Sequence, residues 1–167
     1  MAVALSILMS FLALATTFYQ AYLQRVHNVK SLKPLGQVDV GDVHKLIFVY
    51  ITNNGMGPMI IERLVFTKNG NAHADIESCL DLPPQSYRHI VLSDTVKKTV
   101  LPNSRFEVFE MTFGEDHDSE QEMEHVKDQL AAITLTVHCR DVYDNKISFE
   151  RNLEWFSRRN SGRIRIN

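Results

Sequence analysis

The chain has 167 residues, with 18 Lys and Arg against 20 Asp and Glu and a formal net charge of −2. That balance argues against a surface built to grip nucleic acid, and a content of 44 % hydrophobic and 23 % charged residues argues against disorder. Two cysteines, Cys79 and Cys139, exclude a disulfide-dense scaffold. Every charged residue follows Gln24, so the chain divides into an uncharged start and a charged remainder.

Ala2 to Leu23 are 22 residues, 17 of them Ala, Val, Ile, Leu, Met, Phe or Tyr. As a helix they rise about 33 Å, enough for a hydrocarbon core of about 30 Å. We therefore expect a transmembrane helix over residues 1–24. An interfacial helix needs a charged face, which is missing here. A cleaved signal peptide is the rival: Ala13-Leu14-Ala15 fits a small-x-small cleavage site, but no basic residues precede the apolar run. Ser6, Ser10, Ala13, Thr17, Gln20 and Gln24 recur at spacings of 4, 3, 4, 3 and 4, a heptad stripe of small and polar groups. It reads either as a helix-association face, in a homo-oligomer or with another membrane subunit, or as ordinary hydroxyls bonded to their own helix.

Residues 25–34 read as a polar juxtamembrane connector. Its Arg25, Lys30 and Lys33 follow the span and none precedes it, which by the positive-inside rule places the remainder in the cytoplasm at the inner membrane; an exported domain is the alternative. A cytoplasmic domain would keep both cysteines reduced.

Residues 35–156 read as one mainly β domain, an antiparallel, immunoglobulin-like β-sandwich with one helix. Leu35–Val40 and Lys45–Thr52 are the first strands, the second rich in β-branched and aromatic residues. Asn53-Asn54-Gly55-Met56-Gly57-Pro58 interrupts with turn chemistry. This segment is read as a structural crossover, or as a rigid loop in which Asn54, Gly55, Met56, Gly57 and Pro58 meet a partner. Met59–Lys68 resumes as a strand, Asn69-Gly70 is a hairpin signal, and Ala72–Glu77 is the return. Leu82–Thr95 has two prolines and weak periodicity, so it is expected to be irregular or partly helical. Lys98–Leu101 and Arg105–Phe113 are further strands.

Ser119 and Glu122 suggest a capping box, followed by an apolar stripe of Met123, Val126, Leu130 and Ile133. Ile133, Leu135, Val137 and Cys139 then alternate with polar residues as a strand. Ile147, Phe149, Leu153 and Trp155 are expected to continue the inward face of the next strand, with Arg151 out of pattern. Residues 157–167 form a basic tail carrying Arg158, Arg159, Arg163 and Arg165. With Arg25, Lys30 and Lys33 these cations are candidates for anionic lipid headgroups, the bilayer being one expected partner; nucleic acid lacks a basic, aromatic-interleaved strand face.

His27-Asn28-Val29-Lys30-Ser31-Leu32-Lys33-Pro34 after the span, Asn53 to Pro58 after a strand, and the late Asp141-Val142-Tyr143 together resemble a loose group of uncharacterised bacterial membrane-anchored proteins. Their pattern is a span, then HNxxSxxP, then a strand ending in NxGxGP. The resemblance implies the anchored β architecture and no activity. The residues themselves carry no enzyme motif, so a non-enzyme without cofactors is expected. Asp116-x-Asp118-x-Glu120 has calcium-loop spacing, but Gln121 stands at the glycine position and Lys127 at the last ligand position. The seven histidines show no metal-ligand spacing. The expected function is protein binding by a membrane-anchored subunit or accessory of a complex; the alternative is a sensor or effector that oligomerises through its span.

Overall fold

The computed structural model describes residues 2–90, 97–114 and 117–160. In chain order the elements are α1 (Ala2–Ser31), β1 (Gly36–Val43), β2 (Leu46–Asn53), β3 (Met59–Lys68), β4 (Asn71–His73), a 3₁₀ turn (Glu77–Cys79), β5 (Arg88–His89), β6 (Lys98–Val100), β7 (Arg105–Thr112), α2 (His117–Ala131), β8 (Ile133–Arg140), β9 (Lys146–Asn152) and α3 (Trp155–Asn160).

α1 buries none of its residues in the protein. Among the described residues it is the one helix long and apolar enough to cross a membrane, which makes it a candidate anchor. Its 30 residues span about 45 Å, beyond the hydrocarbon thickness. The connector expected to start at Arg25 is therefore helical to Ser31. Nothing in that segment breaks a helix until Pro34 pushes the residue before it out of the helical region.

The remainder is two antiparallel sheets packed face to face. One has the order β1-β2-β7-β5; the other has the order β4-β3-β8-β9, with β6 also on β3. Ile47, Val49 and Ile51 of the first face Ile61, Leu64, Leu135 and Val137 of the second in a single core. β8 alternates without exception: Ile133, Leu135, Val137 and Cys139 are buried and their neighbours are not. Two strands depart from strict alternation through bulges. β7 slips at Val108, so Val108 and Phe109 both point inward. β3 slips at Glu62, so Glu62 and Arg63 both point outward.

Asn69 (φ 51°) and Gly70 (φ 80°) make the expected tight hairpin. His44 (φ 48°) and Lys45 (φ 62°) make another between β1 and β2 that nothing in their residue types announces. The return strand is shorter than expected: β4 ends at His73 and the chain turns into the 3₁₀ segment, where Asp75 Oδ1 accepts from Ser78 N and Oγ, both at 2.8 Å. In the irregular stretch only Arg88–His89 pair, against β7; residues 91–96 lie outside those described.

Two helical expectations change. α2 starts at His117, so Ser119 sits within its first turn and donates to Gly114 O at 2.8 Å instead of being the cap residue. Trp155 is not on a strand: β9 ends at Asn152 and Trp155 opens α3, because Leu153 turns in to bond Ile133 O. Arg151 does point inward, as its register demands, and reaches across the sandwich edge to donate to Val38 O at 2.5 Å. It thereby links edge strand β9 to edge strand β1.

Strand directions define two ends. The near end holds the exit of α1, the β2–β3 loop, the β6–β7 turn and the β8–β9 turn. The far end holds the β1–β2 and β3–β4 hairpins and helices α2 and α3.

Candidate functional site

At the near end one side chain joins four segments. Asn53 ends β2 and is fully buried. Its Oδ1 accepts from Leu35 N at 3.2 Å and Gly55 N at 3.0 Å. Its Nδ2 donates to Gly57 O at 2.8 Å and Val100 O at 3.1 Å. The amide thus uses both acceptor sites and both donors, the full capacity of an Asn side chain. Its backbone continues the junction: Asn53 N donates to Ser104 O at 3.0 Å and Asn53 O accepts from Asn103 N at 2.8 Å. Asn54 N donates to Leu35 O at 2.8 Å.

The glycines explain how the exit of α1 fits. A Cβ on Gly57 would lie 1.7 Å from Leu32 O, and one on Gly55 would lie 2.4 Å from Leu35 N. The loop glycines are therefore required by close backbone approach to residues 32–35. The crossover reading gains a specific content: this loop grips the segment that leaves α1. Met56, between the two glycines, is 73 % exposed.

Asp141 closes the β8–β9 turn from a buried position. Its Oδ1 accepts from Tyr143 N at 2.8 Å and Asn145 N at 2.9 Å, and its Oδ2 from Asn145 Nδ2 at 2.8 Å. Burial alone would push this carboxyl up, but the bonds from Asn145 and Tyr143 and the charge of Lys33 together hold it below the usual carboxylate range. Beside this turn Glu62 pairs with Lys97 and Arg140, each at 3.2 Å, and Arg140 also pairs with Asp144. The Arg140 Nε contact is an ion pair by distance only, without hydrogen-bond alignment.

The stripe of α1 lies on exposed helix surface. Its hydroxyls bond the helix's own backbone: Ser6 to Val3 O, Ser10 to Ser6 O, Thr17 to Ala13 O, at 2.8–2.9 Å. The basic residues are not brought together. Arg25, Lys30 and Lys33 belong to the near end, whereas Arg158 stands on α3 at the far end, its Nη2 3.1 Å from Glu154 Oε2. Arg159 is also in α3; Arg163 and Arg165 lie outside the described residues.

The outer face of the first sheet carries a trough of about 550 Å³ lined by Asp39, Phe48, Tyr50, Arg105 and Glu110. Phe48 and Tyr50 stack at 4.4 Å, and the Arg105 guanidinium lies 4.5 Å from the Tyr50 ring. Tyr50 donates to Glu110 Oε2, and burial followed by that carboxylate raises its pKa to about 12. The cysteines are free, buried thiols: burial and then Glu62 raise Cys139 to about 11, and burial raises Cys79. Such thiols are poor nucleophiles. Among the described residues no group of three or more His, Cys, Asp and Glu is placed to hold a metal ion. Lys127 is instead buried on α2 with Asp42 Oδ2 at 2.5 Å and Glu124 Oε1 at 3.2 Å.

The class these observations define is a β-sandwich behind a candidate membrane anchor. No protein-family model matches the chain, and no curated protein matches it. Among solved structures it is similar to the archaellum periplasmic stator protein FlaG from Sulfolobus acidocaldarius, at 11 % identity and a TM-score of 0.25, over 70 % of this chain and 100 % of that one. A likeness at that score carries no functional argument.

Proposed function

We propose that this chain is a single-pass membrane protein whose β-sandwich binds another protein, as a subunit or accessory of a membrane complex. The observation that carries this reading is the Asn53 junction, which ties the anchor exit to β2, the β2–β3 loop and β6. A flexible tether needs no such fixation, whereas a subunit that must meet its neighbour at a set height and orientation does. The trough of Phe48, Tyr50 and Arg105 offers aromatic and Arg groups of the kind enriched where proteins bind. The domain acts without catalysis, in keeping with its raised thiols and the resemblance to anchored β-domain proteins.

The domain faces the cytoplasm, on the one-sided Arg25, Lys30 and Lys33. A reporter active only outside the cytoplasm, fused after Asn167, will be silent; strong activity overturns this side assignment. The partner reading is tested by crosslinking in intact membranes followed by mass spectrometry. Wild type will give one dominant crosslinked protein, lost with Phe48→Ala and Arg105→Ala; the same crosslinks from those variants overturn it.

A second reading, oligomerisation through α1, is favoured by Gln20, whose amide sits in the apolar helix. A polar contact between helices in lipid is worth about 0.6–2 kcal/mol. Replacing Ser6, Ser10, Ala13 and Gln20 together by Leu preserves insertion and will abolish self-association in a membrane two-hybrid assay, whereas bulky changes at Ala4 and Ala15 will not.

A further inference from the structure

Eight large apolar side chains outside α1 are exposed among the described residues, and six of them lie at the near end: Leu32, Leu35, Met56, Leu101, Val142 and Tyr143. They come from four separate segments, namely the α1 exit, the β2–β3 loop, the β6–β7 turn and the β8–β9 turn. Leu35 and Met56 are 58 % and 73 % exposed, and Leu101 is 60 %. Among the described residues the far end, by contrast, exposes Val43 alone, with Ile90 on the flank. Such a concentration on one end marks a surface meant to be covered.

We propose that this end of the sandwich is seated on the bilayer, with Met56, Leu101 and Tyr143 lodged in the headgroup region around the point where α1 leaves the membrane. This rests on α1 being a membrane span. The occupant is the lipid interface because the patch surrounds the exit of the anchor itself. The apolar run of α1 ends at Leu23, and the helix continues to Ser31, about 12 Å further. The headgroup region adds about 5–8 Å on each side, and the whole of α1, about 45 Å, matches the full bilayer thickness of about 40–45 Å, so the patch is held at the outer margin of the headgroup region. The Asn53 junction and the contact of Gly57 with Leu32 keep it there. The chemistry agrees. Tyr143 is an amphipathic ring of the kind that favours headgroup depth, and Arg25, Lys30 and Lys33 supply cations on the same side. The exposed acid of the turn, Asp144, is paired with Arg140. Of the basic groups in the sequence, those on α3 take no part, since they stand at the opposite end.

The test places an environment-sensitive fluorophore on single cysteines, Met56→Cys, Leu101→Cys and Tyr143→Cys, in the full chain. Phe11→Cys marks the span and Val43→Cys the far end. Each protein is reconstituted one per nanodisc of phosphatidylcholine and phosphatidylglycerol carrying lipids brominated at shallow or deep positions. Cys79 and Cys139 are buried, so the unmodified chain serves as the blank. The expected result is quenching of Phe11→Cys by deep bromines, quenching of the three loop positions by shallow bromines, and none at Val43→Cys. Quenching at Phe11→Cys with loop signals like that of Val43→Cys overturns the seating while leaving the anchor intact. Absence of quenching at Phe11→Cys overturns both. Loop positions untouched by bromines but shielded from aqueous iodide once a second protein copy is added overturn the lipid assignment in favour of a protein cover.

Discussion

At the far end of the sandwich the fully buried groups include Val126 and Leu130 of α2, Ile133, Leu153 and Phe156 of α3, with the Trp155 and Phe156 rings edge to face at 5.3 Å. At the near end the fully buried group that joins the segments is an amide, Asn53, and its partners are four backbone atoms of three other segments, the α1 exit, the β2–β3 loop and β6. Apolar packing is non-directional and tolerates small rotations of α2 and α3. A four-bond amide is directional, and it fixes how residues 32–35 enter the fold. The lesson is that stability and orientation are assigned to different ends: the helices close the core, while the hydrogen-bonded end sets where the domain stands relative to α1.

Changes at each end should separate these roles. Phe156→Ala removes a fully buried ring and will cost about 3–5 kcal/mol of unfolding free energy, measured by urea denaturation. Trp155, the single tryptophan, will report the loosened far end by a red-shifted emission. The hydrogen exchange of Leu35 N in the native state will stay slow.

Asn53→Ala leaves two donors and two acceptors without their partner. An orphaned group costs about 1 kcal/mol or more where water does not reach it; three of the four bonds are buried and that to Leu35 N is only partly so, and a loss of about 3–4 kcal/mol is expected. Here the signature is reversed. Exchange at Leu35 N and Gly55 N will accelerate while Trp155 emission is unchanged below the unfolding transition. Equal effects on both probes would mean that the two ends are one cooperative unit and would break the contrast.

Gly57→Ala forces the added Cβ against Leu32 O and will cost about 1–3 kcal/mol, the range of overpacking changes. Its informative readout is a shifted α1 exit, seen as a changed distance between spin labels on α1 and on β9. The smallest effect concerns acid. Asp141 has a folded pKa below its unfolded value of about 3.9, so its contribution is complete above that value and is lost as pH falls through the lowered folded one. Between neutral pH and pH 5 Asp141 will therefore leave stability flat. Below about pH 4 the wild type will lose stability faster than Asp141→Asn, and the Tyr143 and Asn145 amides will be the first to exchange.

Some elements could be read from the residues because their signals are local. The apolar run of α1, the limits of β3 and β8, the Asn69-Gly70 hairpin and the buried stripe of Met123, Val126 and Leu130 each follow from period or turn chemistry within about a dozen residues. Expectations failed where a local signal had a competing local continuation. Ser119 resembles a cap, yet the helix begins earlier at His117; Trp155 keeps the alternation of β9, yet Leu153 has already turned inward to Ile133. The connector has polar residues but no helix breaker before Pro34, so the helix ran on through it.

By itself the sequence determined that the chain starts with an uncharged span-length helix, that a β domain follows, and that the Asn53–Pro58 segment is a turn. Tertiary structure alone decided what that turn is for, because Asn53 bonds Leu35, 18 residues before it, and Val100, 47 residues after it. It alone decided why Arg151 faces inward, since its acceptor, Val38 O, is 113 residues away. It alone gathered Leu35, Met56, Leu101 and Tyr143 at one end and sent Arg158 to the other. Periodicity reports which face of an element is apolar, but not which distant loops share an end. That is set by strand direction and sheet order, which only the closed sandwich fixes.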